Sequence, residues 1–271
     1  MSLTEQQIEL QVQKGIRQAE DELVILIEKA LSTSFYRGLE ESQFRNLVRV
    51  ADTTDSAEVI KNFLRYQVGR DKKWGRGNES LAERIITDIG NSDRASKLAE
   101  IANTIAQSSD LTKFKYIWLE LIQRYLGYGS RHLKYLNLVI PQKIHEIEKD
   151  LESLMKDALN KTSSGELKAA SFNKLIRTVD DIDSAESAET LPQSLRNQIS
   201  QDKGWGKGSN SLAERITADI GDVKQGGKLI DIARQISHTA NVTEFKPIWL
   251  ELIHRYLKVG SRSLNSSKGD K

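Results

Sequence analysis

An internal repeat constrains the fold of this chain more than any other feature. The stretch KYIWLELIQRYLGYGSRHL at 115–133 returns as KPIWLELIHRYLKVGSRSL at 246–264. The match runs without a gap from 71–133 onto 202–264, with about 35 of 63 positions identical, and further upstream the offset falls from 131 to 128 residues. Each copy is therefore about 130 residues long, which is the size of a whole domain and far above the 20–50-residue period of solenoid repeats.

Apolar spacing within each copy indicates α-helices. In 110–126 apolar side chains recur at i, i+3, i+4 and i+7, which lines one face of a helix. Asp110 and its counterpart Asn241 are predicted N-caps, and Gly127 and Gly129 are predicted to end the first copy's helix. The other predicted helices are Glu5–Leu31, Glu41–Ala51, Ser56–Val68, Ser80–Ile89, Arg94–Gln107 and Ser130–Asn160, the last with Pro141 near a bend or its start.

The sequence therefore predicts an all-α protein with two homologous helical bundles in tandem, each of about five to six helices. The expected domains are 1–134 and 135–264, followed by a disordered tail at 265–271. Because no Gly/Ser-rich linker separates the copies, we expect a helical joint between them.

Composition excludes several classes of protein. Cysteine is absent, which excludes disulfides and thiolate chemistry. The formal net charge is only +2, so any nucleic-acid site must be a local patch. No apolar run approaches 18 residues and the N-terminus lacks the apolar core of a signal peptide, so we expect no membrane span and a cytoplasmic protein.

No catalytic or metal-binding constellation recurs in both copies. His132, His238 and His254 align with Ser263, Gln107 and Gln123, so neither a metal, a cofactor nor an enzyme activity is predicted. The stretch GDVKQGGKL at 221–229 departs from phosphate-loop spacing and is predicted to be a turn between helices. The recurring carboxylates are expected to form exposed helical ion pairs or caps; they are Glu83/Glu214, Asp88/Asp219 and Glu120/Glu251.

The W-G-x-G loop, at 74–77 and again at 205–208, allows two interpretations. In the structural one, the tryptophan packs in the core and the glycines adopt positive φ before the next helix. In the functional one, the loop, the helix N-terminus and flanking cations form an anion site. Those cations are Lys72, Arg76, Lys203 and Lys207.

Other cations also recur at equivalent positions, among them Arg49/Arg177, Arg65/Arg196 and Arg131/Arg262. If several share a face, they form a basic stripe repeated twice along the molecule, which suits a periodic polyanion such as RNA. Charge alone is equally consistent with an ordinary solvated surface.

Two short motifs resemble a known family. Ser42-Gln43-Phe44-Arg45 and Leu64-Arg65-Tyr66-Gln67-Val68-Gly69-Arg70, followed by an aromatic-rich last helix, look like the Csm-type small helical subunit of type III CRISPR effector complexes. Members of that family are about as long as one copy here, so the chain resembles two small subunits fused in tandem. The second copy departs from both motifs, with 170–173 reading ASFN and 195–201 reading LRNQISQ, and loses the Gly-Arg pair.

The resemblance implies a non-catalytic helical subunit that contacts the backbone of guide and target RNA and touches neighbouring subunits of a ribonucleoprotein complex in antiviral defence. The candidate phosphate-binding residues are Arg45, Arg49, Arg65, Arg70, Lys72, Arg76 and Arg131 in the first copy and Arg177, Arg196, Lys203, Lys207 and Arg262 in the second. The alternative is a protein–protein adaptor of a bacterial defence or signalling system that binds no nucleic acid. The near-neutral charge fits that alternative at least as well.

Overall fold

A computed structural model describes residues 4–90, 96–162, 167–208 and 210–266, and within them the predicted all-α class is confirmed. The first helices are α1 Glu5–Gln18, α2 Glu20–Thr33, α3 Glu41–Asp52, α4 Ala57–Arg70, α5 Leu81–Ile89, α6 Lys97–Ser108 and α7 Phe114–Glu146. They are followed by α8 Glu148–Lys161, α9 Ala169–Asp180, α10 Ala185–Gln201, α11 Leu212–Ile220, α12 Lys228–Thr239 and α13 Lys246–Ser266. The described residues form no strand; they contain two isolated β-bridges and three short 3₁₀ turns.

The contacts divide the chain into two compact units, Met1–Asn137 and Leu138–Lys271. Unit 1 contains α1–α6 and most of α7, and unit 2 contains the end of α7 and α8–α13. In each unit the last long helix packs in the core, with Ile117, Leu121 and Tyr125 fully buried in unit 1. The aligned side chains of α13, such as Ile248, Leu252 and Tyr256, are buried in the same way.

Several predicted helix ends are wrong. The expected helix Glu5–Leu31 is two helices separated at Ala19. Seven α-helices therefore begin in the described part of unit 1, where five to six were expected. Asp110 caps the 3₁₀ turn Leu111–Lys113 that leads into α7, and Asn241 lies in the left-handed region at φ 54°, five residues before α13 begins. The predicted 265–271 tail lies outside the described residues except for 265–266, which continue α13.

Helix α7 continues through the glycines that were predicted to stop it. It runs from Phe114 to Glu146 and also contains Pro141, whereas the break in the predicted helix Ser130–Asn160 falls at Ile147. Gly129 serves packing. A Cβ on Gly129 would lie 2.7 Å from the Phe44 ring and 2.7 Å from the Ile27 side chain.

The same close approach recurs in unit 2. A Cβ on Gly260 would lie 2.3 Å from the ring of Phe172, which aligns with Phe44. Both phenylalanines are fully buried. The repeated glycine therefore lets a buried aromatic ring from α3 or α9 touch the backbone of the long helix, and it is retained in the helix in spite of its low helix propensity.

Gly127 and Gly129 provide a matched pair for testing this account. Gly127→Ala is expected to stabilise the chain by about 0.5–1 kcal/mol, because its Cβ would enter open space and alanine favours a helix. Gly129→Ala is expected to destabilise it by about 1–3 kcal/mol, because the Phe44 ring must move within a packed core. Urea unfolding of both variants measures the difference, and two effects of the same sign would contradict the packing role.

Candidate nucleic-acid interface

The W-G-x-G loops are built as parts of the core, as the structural interpretation requires. Trp74 and Trp205 are 0% and 1% exposed. Their rings lie 5.5 Å from Phe44 and 4.8 Å from Phe172, measured between centroids. The glycines of both loops have positive φ, from 75° to 90°. A buried indole offers no platform on which a base could stack.

In the helix that follows the loop, two of the first backbone amides already have internal partners. The amide of Leu81 donates to the Phe35 carbonyl at 3.2 Å, and the amide of Glu83 donates to Ser80 Oγ at 3.2 Å. The equivalent Ser211 caps α11 with the same geometry. The exposed flanking cations Lys72, Arg76, Lys203 and Lys207 therefore lie beside a helix start whose capping bonds are internal.

One pair of recurring carboxylates is buried, contrary to the expectation that all of them are exposed. Asp88 and Asp219 are 4% and 2% exposed. Tyr125 donates its hydroxyl to Asp88 at 2.8 Å, and Arg84 Nε donates to the same oxygen at 3.2 Å. Sequence alone suggested only an i,i+4 surface pair, because the tyrosine that completes the group lies 37 residues away.

The group recurs around Asp219, where Tyr256 Oη lies at 3.0 Å and Arg215 Nε at 3.1 Å. Burial raises the pKa of Asp88, opposed by the Tyr125 hydrogen bond and the Arg84 charge. Burial also raises the pKa of both tyrosines. The polar atoms satisfy one another, so the arrangement ties α5 to α7 and α11 to α13.

Two histidines occupy helix-packing positions. His254 Nδ1 lies 2.8 Å from Asp180 Oδ1, and His132 Nδ1 lies 3.3 Å from Glu28 Oε1. Burial lowers the pKa of His132, and the nearby Glu28 carboxylate opposes this shift. Over the described ranges, no group of three or more His, Asp or Glu side chains is arranged to hold a metal ion.

All twelve predicted phosphate-binding cations are exposed. They are Arg45, Arg49, Arg65, Arg70, Lys72, Arg76, Arg131, Arg177, Arg196, Lys203, Lys207 and Arg262. The structure places two pairs of these cations in shared grooves of unit 2, and the two grooves differ in the charges that line them.

Arg177 and Arg262 line one groove between α9 and α13, with a volume of about 310 Å³. Lys258, one helical turn before Arg262, lies in the same groove and is also exposed. The polar floor includes Ser261, which donates to Asn173 Oδ1 at 3.0 Å. Of the described residues, three cations and no carboxylate line this surface, which is defined here as the α9–α13 groove.

Unit 1 carries the same number of cations at the aligned positions. Arg49 and Arg131 match Arg177 and Arg262. The third cation lies on a different helix in each copy. Arg45 of the first copy aligns with Asn173, and Lys258 of the second copy aligns with Gly127. Arg45 is exposed and lies 3.5 Å from the Glu41 carboxylate. Each copy thus has three cations at these positions, but in the first copy Arg45 has a carboxylate partner, Glu41, where the second copy has Ala169.

Arg196 and Lys207 line a second, larger cleft of about 700 Å³ between α10, α11 and the W-G-x-G loop of unit 2. The same cleft is lined by Asp202 and Glu214, so its formal charges cancel. It is a weaker candidate for phosphate than the α9–α13 groove. Arg65 and Arg70 are exposed on α4, the helix of unit 1 that aligns with α10 of unit 2.

Comparison of the two copies selects cations that recur, and it therefore passes over Lys258, whose counterpart is Gly127. Lys258 could have been found from its position four residues before Arg262, because residues at this spacing share one face of a helix. The aromatic residues beside Arg131 were missed for the same reason, since the second copy has Val259 and Ser263 where the first has Tyr128 and His132.

Searches of protein-family models, curated proteins and solved structures found no match to this chain. Among the helices that the structure describes, none combines the length and apolar character needed to cross a bilayer.

Proposed function

We propose that the chain is a non-catalytic, cytoplasmic small subunit of a type III CRISPR RNA-guided effector complex, in which it contacts the backbone of guide and target RNA and neighbouring subunits. The short motifs at 42–45 and 64–70 support the family. The single observation that carries RNA contact is the α9–α13 groove, which Arg177, Lys258 and Arg262 line together.

A groove of this kind suits phosphate. Arginine binds phosphate oxygens with a planar fork of N–H donors, and lysine contributes a compact charge. Such contacts release counterions from the nucleic acid, so affinity falls with salt and depends little on sequence. A net charge of +2 for the whole chain means that these local patches, and not the average charge, must provide the attraction.

The triple variant Arg177→Gln/Lys258→Gln/Arg262→Gln tests this function. We expect its affinity for RNA to fall, and the slope of log affinity against log salt to become shallower by about 2–3, since each phosphate contact contributes about one unit of slope. Fluorescence anisotropy with a labelled RNA duplex at several salt concentrations measures both quantities.

A control variant removes the same charge elsewhere. Lys149→Gln/Lys156→Gln/Lys161→Gln changes three exposed lysines on α8, none of which lines the groove. Equal losses in both triple variants would assign the effect to net charge and contradict a groove site. Failure of the unaltered chain to bind RNA at low salt, together with failure to co-purify with guide RNA, would overturn the proposed function.

One observation favours the alternative, a protein-interaction adaptor. On α4 of unit 1, Val59 and Tyr66 are 48% and 59% exposed, and Phe63 lies 6.4 Å from Tyr66 between ring centroids. The aligned residues of the second copy are polar, with Ser187 and Asn197 in place of Val59 and Tyr66. Two exposed apolar side chains, with the half-buried Phe63 between them on the same helix face, suit a protein partner. Intact complex assembly without RNA binding would favour this function.

A further inference from the structure

A small aromatic pocket lies between α2 and α7 of unit 1. Its volume is about 260 Å³, and its apolar wall is formed by Val24 and Ile27. Three side chains with rings line it, namely Tyr128, His132 and Tyr135. They are spaced i, i+4 and i+7 on α7, so they share one side of the helix. The pocket is below the roughly 300–1,000 Å³ of clefts that hold drug-sized ligands, and it suits one flat ring system.

The rings and the adjacent cation lie close together in two pairs. The centroids of His132 and Tyr135 are 5.9 Å apart, and Tyr135 is 52% exposed. The guanidinium carbon of Arg131 lies 4.7 Å from the centroid of the Tyr128 ring. Aromatic rings and guanidinium planes are the groups on which proteins stack unpaired bases.

We propose that this pocket, defined here as the α2–α7 pocket, holds a single unpaired base of the bound RNA while Arg131 contacts the neighbouring phosphate. This inference rests on the proposed RNA-binding function and adds a base-binding role to one unit. It predicts that a single-stranded or splayed-out nucleotide is the preferred ligand at unit 1.

The charges around the pocket support a base as its occupant. Glu28 is the carboxylate that lines it, and this group would repel a phosphate placed inside. A base is uncharged, and its exocyclic amino group can donate to a carboxylate. Arg131 is exposed and provides the positive charge that a connected phosphate requires.

The second copy lacks every ring of this pocket. Val259, Ser263 and Ser266 stand where unit 1 has Tyr128, His132 and Tyr135, and Lys156 stands where unit 1 has Glu28. The cation Arg262 is nevertheless retained at the position of Arg131. The two copies therefore share phosphate-binding positions, and only unit 1 adds a stacking site.

The second copy also supplies the test variant. Tyr128→Val/His132→Ser/Tyr135→Ser places unit 2 residues at the aligned unit 1 positions and removes no lysine or arginine. We expect single-stranded RNA to bind this full-length variant about 5- to 100-fold more weakly, because stacking contributes that much per base. The salt slope should stay unchanged. Arg131→Gln should instead make the slope shallower by about one.

An abasic strand provides a second readout on the unaltered protein. We expect the abasic strand to bind the unaltered chain as weakly as an ordinary strand binds the triple aromatic variant. The abasic and ordinary strands should bind the triple aromatic variant with equal affinity. Thermal unfolding of the variant checks that its fold is intact; if it fails to fold, the single variant Tyr135→Ser, at an exposed position, takes its place with the same abasic comparison.

The possible failures are distinguishable. Salt-dependent RNA binding that is insensitive to both the aromatic variant and the abasic strand overturns the base pocket and leaves the proposed function intact. Absence of any RNA binding by the unaltered chain overturns both. Loss of a protein subunit from the assembled complex with RNA binding unchanged assigns the pocket to a protein partner and also overturns the inference.

Discussion

Gly75→Ala is expected to destabilise unit 1 by about 2–5 kcal/mol, because two independent costs coincide at this residue. Gly75 adopts φ 75° and ψ 163°, a conformation that is essentially restricted to glycine. A Cβ there would also lie 2.1 Å from the Phe35 carbonyl oxygen. That carbonyl is fixed, since it accepts the amide of Leu81 at 3.2 Å while the Phe35 amide donates to Glu79 at 2.8 Å.

Gly77 is the matched control in the same loop. It has a similar φ of 79°, but a Cβ there would meet no atom within 4 Å. Gly77→Ala should therefore cost only the conformational part, about 1–2 kcal/mol. Hydrogen exchange read by mass spectrometry on the full chain assigns each loss to its unit. Equal costs for the two variants would show that the contact with Phe35 adds nothing.

The helical class and the repeat were predictable because both depend on local spacing and on comparison of the chain with itself. Helix ends were less predictable, as Gly127 and Gly129 illustrate. Both lie inside α7. At Gly129 the close approach of Phe44, 85 residues away, accounts for the glycine, and this contact exists only when α3 packs on α7. Propensity is a weak prior where tertiary packing opposes it.

The candidate interface was predictable in its parts and not in its arrangement. Sequence identified Arg177 and Arg262 as recurring cations, and the structure brings them together because Gly260 allows α13 to approach Phe172 of α9. No rule of sequence spacing joins residues on helices that are separated by 85 positions. The third cation, Lys258, and the rings of the α2–α7 pocket are differences between the copies, so a search for recurring residues excluded them.

The two copies share their core packing and differ at several exposed positions. Trp118 and Trp249 donate to the carbonyls of Ile89 and Ile220 at 3.1 and 2.9 Å, so even the hydrogen bonds of the core are duplicated. Outside the core, an exposed valine and tyrosine on α4 of unit 1 are replaced by serine and asparagine in unit 2. Conserved packing with divergent surfaces fits two equivalent bodies that contact different neighbours.

The buried carboxylate group gives the largest expected effect on stability. Asp88→Ala should destabilise unit 1 by about 3–5 kcal/mol, because it leaves the buried hydroxyl of Tyr125 without an acceptor and removes the partner of Arg84. In a Tyr125→Phe background the same substitution should cost about 1–3 kcal/mol less, since no hydroxyl is orphaned. Hydrogen exchange of the unaltered chain, the two single variants and the double variant completes a double-mutant cycle. If the two losses of stability simply add, Tyr125 and Asp88 are not energetically coupled.

The same carboxylate also predicts a pH dependence. Burial raises the pKa of Asp88 in the folded chain above its ordinary value, so the folded state binds the proton more tightly than the unfolded state. The stability of the unaltered chain relative to Asp88→Asn should therefore increase as pH falls through the raised pKa. It should level off below the ordinary value of about 3.9. Urea unfolding of both proteins across this pH range measures the difference, and a relative stability that decreases with falling pH would mean that the Tyr125 and Arg84 contacts outweigh burial.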